Sequence, residues 1–473
     1  MKKQKLTKRS KILIIILLPL LAVILLACVG YAKYGKAIEI ASAGTAVTLV
    51  ILLVLLPVLL VTLGIVAMTG KKEIRVESTK TVAGETPETT TGSTAGSTAI
   101  SAASETSSKV KNTSISRFSQ LPAIDMKSQS LMRNDYDGNA TLEGICEDFR
   151  NFSAYKLKLY YDISDIRRFI SGLAVSKIII LQGMSGTGKT SLAYAFGEYL
   201  SNPSTVIPVQ PMWKERTDLL GYFNEFTKRF NETDLLVKMY EALYSKDIYI
   251  TVLDEMNIAR IEYYFAEFLS LLELPNEEER YITVVSDQWK TDPKKMKEGK
   301  IKLPPNMWFI GTANNDDSTF SISDKVYDRA MILNLDSKCE SFKAPKTDGK
   351  RISGEYFKKL ADKAKKEYVV TVRNEKRLQE LDKYLIEHFR ITFGNRIMKQ
   401  IRSYVPVYVA CGGKEIEALD DILAKKVMRK LEMQNPVYVK RSADDLCVFL
   451  DETFGEDAMP LCKAYVAGLK RNA

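Results

Sequence analysis

Eight consecutive residues, Gly183-Met184-Ser185-Gly186-Thr187-Gly188-Lys189-Thr190, have the spacing G-x-x-x-x-G-K-[ST]. Glycines so spaced let backbone N–H groups converge on phosphate oxygens, and a helix N-terminus behind them adds favourable partial charge. Lys189 would neutralise the outer phosphates, and the Thr190 hydroxyl would ligate Mg²⁺. The pattern carries weight only between a strand and a helix. Both are expected here: Lys177-Ile178-Ile179-Ile180-Leu181 reads as a buried strand, and SLAYAFGEYL after Lys189-Thr190 as an apolar-periodic helix.

Three further positions could complete such a site. The apolar run Ile248 to Leu253 ends in Asp254-Glu255, and a carboxylate at a strand tip can hold a metal's water shell while its neighbour activates the attacking water. The run Met307 to Thr312 leads to Ala313-Asn314-Asn315-Asp316, so Asn314 could position that water; a turn-forming Asn is the rival reading. Arg329 precedes another apolar run, Ala330 to Leu335. It is either an ordinary surface cation or the cation that a neighbouring subunit's phosphate needs.

Other chemistries are excluded early. His388 is the only histidine, which removes H-E-x-x-H metal sites and the usual Ser-His-Asp arrangement. The cysteines Cys28, Cys146, Cys339, Cys411, Cys447 and Cys462 form no C-x-x-C pair, so reduced thiols are expected. The net charge of +10 is concentrated at one end: residues 1–75 hold eleven Lys/Arg against Glu39 and Glu73, leaving +1 for the rest of the chain. A basic nucleic-acid-binding face is therefore not favoured.

Residues 12–31 and 43–68 are free of charged side chains, and each is long enough to cross a bilayer core that needs ~20 apolar residues. Basic flanks before the first and after the second predict a membrane hairpin with both chain ends cytoplasmic, in a bacterial inner or plasma membrane. Leu25-Leu26-Ala27-Cys28 offers a lipoprotein-type cleavage site as the rival. The Ser/Thr-rich stretch that follows reads as a flexible tether.

Several blocks in one order resemble the McrB-like, dynein-related (MoxR-neighbouring) branch of AAA+ ATPases: Gln210-Pro211-Met212-Trp213 through Leu220-Gly221-Tyr222-Phe223-Asn224, Leu253-Asp254-Glu255-Met256-Asn257-Ile258-Ala259-Arg260, Phe268 to Glu273, Leu303-Pro304-Pro305-Asn306-Met307-Trp308, Phe393-Gly394-Asn395-Arg396-Ile397 and Ala418-Leu419-Asp420-Asp421. The resemblance covers roughly residues 135 to 435. It implies Lys189 and Thr190 in the phosphate loop, Asp254 and Thr190 at the metal, Glu255 as catalytic base and Asn314 as first sensor. It also implies Arg329 as an arginine finger acting on a neighbour, and Arg396 as second sensor. The chain departs from McrB GTPases, which have Met-Asn-x-x-Asp where Thr312-Ala313-Asn314-Asn315-Asp316 stands, so ATP is the expected nucleotide.

The expectation is thus an α/β P-loop AAA+ fold, a parallel five-stranded sheet between helices with a C-terminal helical lid from about Ser353, preceded by a transmembrane helical hairpin and a disordered linker. The domains expected are residues 1–75 (membrane anchor), 76–117 (linker), 118–345 (nucleotide-binding domain) and 346–473 (lid and extension). The function expected is a membrane-anchored ATPase, using ATP and Mg²⁺ in a ring homo-oligomer, usually of six, to remodel or translocate a macromolecular partner on the cytoplasmic side, a protein being favoured over nucleic acid. The alternatives are a nucleic-acid motor of a restriction or antiphage system and a nucleotide-gated membrane scaffold with little turnover. Residues 276–302 read as a solvated loop in preference to a pore hairpin, Trp213 and Tyr222 as core aromatics, and Leu446 to Gly468 as helix, break, helix.

Overall fold

The computed structural model describes residues 116–314, 319–336 and 338–472, all within the second of the chain's two units, Ser108–Ala473. Its central sheet has five parallel strands: β1 (Ile178–Gly183), β2 (Thr205–Pro208), β3 (Tyr249–Asp254), β4 (Met307–Asn314) and β5 (Met331–Asn334), in the order β5-β1-β4-β3-β2. Inner strands are continuous apolar runs because both faces are covered. Ile179 and Leu181 of β1 enter one core while Ile178 and Ile180 enter the other. β2 lies at the edge, alternates in exposure and ends in Pro208, which costs no ladder bond there.

Register then sets the chemistry. Gly183 pairs with Asn314, Gln182 with Asn334 and Pro208 with Asp254, so the phosphate-loop start, the acidic pair and Asn314 emerge together at the carboxyl edge of the sheet.

On one face, helices Leu142–Phe152, Ile163–Val175 and Lys189–Tyr199 pack through aromatic edges. Phe196 meets Phe149 at 5.1 Å and Phe169 at 5.3 Å between ring centroids. The same core continues into helices Gly354–Glu367, Val372–Phe389, Asn395–Ala410, Glu415–Lys426, Pro436–Phe454 and Pro460–Asn472. The first of them is capped by Ser353, whose hydroxyl accepts from Tyr356 N, and the last two are separated by a break at 455–459.

The other face carries helices Asp234–Ala242, Ile261–Tyr264 and Ala266–Glu273 and two excursions. One is a hairpin, Gly221–Asn224 paired with Arg229–Glu232. The other is a small antiparallel sheet of Tyr281–Thr283, Met296–Lys297 and Lys300–Lys302. It corrects the solvated-loop reading of 276–302, because Ile282, Val285, Met296 and Ile301 are buried in the second core. Trp213 does pack, edge-on to Tyr264 at 5.6 Å, whereas Tyr222 is about half exposed on the hairpin. Arg117, assigned above to the linker, is buried: its guanidinium bonds Asp287 and Asp292 and lies 4.6 Å from the Trp289 ring centroid.

The apolar segments 12–31 and 43–68 and the Ser/Thr-rich stretch to residue 115 lie outside the described residues. Among the described residues no helix is long and apolar enough to cross a membrane. Helices Val372–Phe389 and Pro436–Phe454 have sufficient length, but charged side chains such as Glu375, Lys376, Arg377, Lys440, Arg441 and Asp444 interrupt every turn or two. The multi-pass membrane localisation expected from sequence is corrected on this finding.

Candidate functional site

The loop between β1 and helix Lys189–Tyr199 depends on glycine for its path. Gly183, Gly186 and Gly188 have φ of 142°, 79° and 92°, conformations that favour a residue without Cβ. A Cβ on Gly183 would lie 2.3 Å from the carbonyl oxygen of Leu335, so this glycine also brings β5 against the loop. Met184, Ser185 and Thr187 complete the turn, and the Thr187 hydroxyl donates to Met184 O at 3.0 Å. Lys189 is buried inside this curve, its Nζ donating to Gly183 O at 3.0 Å and Met184 O at 2.7 Å.

Beside the loop, the Asp254 carboxylate collects two hydroxyls. Thr190 Oγ1 donates to Asp254 Oδ1 at 2.7 Å and Thr312 Oγ1 to the same oxygen at 2.8 Å. Thr312 Oγ1 in turn accepts the Glu255 N–H at 2.8 Å. Glu255 has φ 52° and ψ 47° and is exposed, so the chain turns sharply at the tip of β3 and presents its side chain to solvent. Next to it, Met256 fits because Gly311 has no side chain: a Cβ there would come 1.8 Å from the Met256 sulfur.

A hydroxyl and a carboxylate side by side are hard oxygen donors. They suit Mg²⁺, which takes few protein ligands and keeps its other positions for water and phosphate oxygens.

Asn314 lies at the end of β4, and its carbonyl accepts from Asn257 Nδ2 at 3.0 Å. Asn257 also donates to Thr319 Oγ1 at 2.9 Å and accepts the Phe320 N–H on its backbone oxygen at 2.8 Å, which ties down the chain on both sides of residues 315–318. Asn314, Asn257 and Asn334 line a cavity of about 1090 Å³ at the carboxyl edge of the sheet.

Arg329 and Arg396 lie elsewhere. Arg329 Nη2 pairs with Glu273 Oε2 at 2.6 Å and Arg396 Nη2 with Glu273 Oε1 at 2.9 Å, one carboxylate holding both. Glu273 and Arg329 line a cavity of about 300 Å³ with Ile178 and Met331, the first residues of β1 and β5. That is the amino edge of the sheet. The own phosphate loop begins at the far end of β1, about 16 Å away along a six-residue strand. Arg396, expected as second sensor, thus shares the Glu273 carboxylate with Arg329 at this edge. The Arg329 Nε and Nη1 atoms are buried with no hydrogen-bond partner.

Thr312, Asn257 and Tyr161 were not singled out from sequence. Tyr161 donates from its hydroxyl to Gly188 O at 3.2 Å, and burial pushes its pKa well up. Thr312→Val is expected to strand the Glu255 N–H and cost about 1–3 kcal/mol. The denaturation midpoint should fall and ATP turnover should drop more than ATP affinity. An unchanged midpoint would remove Thr312 as the link between β3 and β4.

Residues 178–330 match the family model of the AAA domain (dynein-related subfamily). Among solved structures, the chain is similar to a putative ATPase from Cytophaga hutchinsonii (13% identity, TM-score 0.36, covering 75% of this chain and 98% of that one). It is also similar to a full-length MCM homolog from Methanopyrus kandleri (11% identity, TM-score 0.32, covering 64% and 61%). No curated protein matches the chain. The matched residues run from β1 to the threshold of β5 and contain the phosphate loop, Asp254 and Glu255, so the chain carries an AAA domain of the dynein-related subfamily and is an ATP-hydrolysing enzyme.

Proposed function

We propose that this ATPase works as a ring of identical subunits, in which hydrolysis drives the remodelling of a protein partner. The observation that carries the reading is the separation of Arg329 from the phosphate loop. An arginine with two unpaired buried donors, at the sheet edge opposite its own loop, suits the phosphate of an adjacent subunit.

Within each site, Lys189 and the loop N–H groups bind the phosphates, and Thr190 and Asp254 hold Mg²⁺, which supplies charge neutralisation when bound. Glu255 accepts the proton of the attacking water, and Asn314 orients that water. Gly183, Gly186 and Gly188 set the loop curvature, with Met184, Ser185 and Thr187 contributing backbone N–H groups. Arg329, with Arg396 beside it, supplies positive charge across the subunit boundary.

A protein partner is favoured over nucleic acid on two observations. The chain beyond residue 75 carries a net charge of only +1, too little for a phosphate-tracking face. The hairpin presents Phe226, 98% exposed in its turn, and half-exposed Tyr222 on its first strand, apolar surface suited to polypeptide side chains.

The test is ATP and GTP hydrolysis with native mass measured together, using Lys189→Ala as the blank and adding either casein or duplex DNA. Turnover of ATP in an oligomer, raised by casein and not by DNA, is the expected result; stimulation by DNA alone would return the nucleic-acid motor to first place. Phe226→Ala should abolish the casein response. Its unfolding free energy should stay within about 0.5 kcal/mol of the parent, since the Phe226 side chain is almost fully exposed.

A further inference from the structure

Arg329 ends a segment that has little structure of its own. Its helix, Asp324–Tyr327, is one turn long, so the carbonyls that follow have few partners within it. The C-terminal helices supply those partners. Lys426 Nζ donates to both Tyr327 O and Ala330 O. Gln400 Nε2 donates to Asp328 O at 2.9 Å. Arg429 pairs with Asp324 and stacks 4.0 Å from the Tyr327 ring centroid. The core contributes Ser176 Oγ to Arg329 O at 3.2 Å and Gln182 to the Tyr327 hydroxyl. Of the four carbonyls from residue 327 to 330, three are therefore held from the C-terminal helices and one from the sheet side.

Lys426 is the centre of this grip. It is 4% exposed, and no carboxylate forms an ion pair with it among the described residues. Desolvation pushes its amine down to about 7 against the pull of Asp328, so keeping a lysine here is costly. An amine that donates to both the Tyr327 and the Ala330 carbonyl fixes where the backbone carrying Arg329 sits.

We propose that Lys426 is a positioning residue for Arg329: by clamping the Tyr327 and Ala330 carbonyls to helix Glu415–Lys426, it makes the placement of the arginine presented to a neighbour follow the C-terminal helices. The proposal rests on the reading of Arg329 as a cation acting between subunits. It extends that reading to regulation, because any shift of these helices moves the arginine serving the adjacent site.

The experiment uses the full chain carrying Lys426→Met, alone and mixed with Lys189→Ala chains. Alone, Lys426→Met should lose at least tenfold in kcat with KM for ATP within twofold and native mass unchanged. Mixed with the silent Lys189→Ala chains, turnover should reappear, since an intact phosphate loop on the Lys426→Met subunit then faces a neighbour whose Lys426 is intact. A purely structural defect confined to its own subunit would not be rescued by mixing. Wild-type kcat in Lys426→Met, or a loss that mixing leaves in place, overturns the proposal. Should Lys426→Met not fold, Gln400→Leu carries the same test, with a loss of about threefold that mixing restores; no loss, or no rescue, counts against it. Arg329→Ala run in parallel separates the two ideas. If it keeps full turnover, the reading of Arg329 fails; if it is inactive while Lys426→Met is normal, only the role of Lys426 fails.

Discussion

Arg329→Ala is expected to lower ATP turnover by about 10³-fold, the lower end of what a trans-acting arginine contributes to phosphoryl transfer, with ATP affinity little changed. The separation of effects follows from the topology. Arg329 lies with Ile178 and Met331 at the amino edge of the sheet, whereas the proposed phosphate loop leaves the carboxyl end of β1. Deleting the guanidinium therefore removes nothing from the subunit's own binding site. Within the subunit it frees one oxygen of Glu273, which Arg396 still holds through the other. Stability should change little, because Glu273 keeps Arg396 and the deleted side chain, 15% exposed, takes two buried unsatisfied donors with it. In an assembly, the triphosphate of a neighbour would compete with Glu273 for the Arg329 Nη2 that Glu273 now holds. Turnover and equilibrium ATP binding measured on the same preparation check the prediction. A parallel fall in both would mean that Arg329 supports its own site.

What the sequence shows well is whatever consecutive residues encode. The phosphate loop needs glycines at fixed offsets between an apolar strand and a helix, and all of that is contiguous, so Gly183 to Thr190 and the strand ending at Asp254-Glu255 are legible. The cap at Ser353 and the break after Phe454 are local signals of the same kind. Thr312 was not legible as a partner of Asp254, because 58 residues separate them and only the alignment of β3 with β4 joins them. Residues 276–302 misled for a different reason. Their strands have two or three residues each, too short for alternation to emerge from the surrounding charge. Arg396 could be placed at a helix start, but which edge of the sheet that start faces depends on how the C-terminal helices pack. Long apolar segments indicate membrane length from composition alone, and among the described residues no helix supplies it.

Glu255→Gln should retain bound ATP and lose turnover by about 10²–10⁴-fold, the contribution of a positioned general base. Glutamine keeps the length and polarity of the side chain and gives up only the ability to take the proton. The position itself should survive the change, because it is set by the backbone: Glu255 N–H rests on Thr312 Oγ1, and Thr312 and Thr190 both anchor Asp254. The left-handed backbone at Glu255, φ 52°, is as accessible to glutamine as to glutamate. The denaturation midpoint should therefore stay at the parent value, in contrast to Thr312→Val. That contrast separates loss of a proton acceptor from loss of the scaffold that aims it. Incubation with ATP followed by quantification of bound ATP and ADP gives the answer. Predominantly intact bound ATP assigns the base to Glu255, whereas hydrolysis at the parent rate would move the proton to another acceptor.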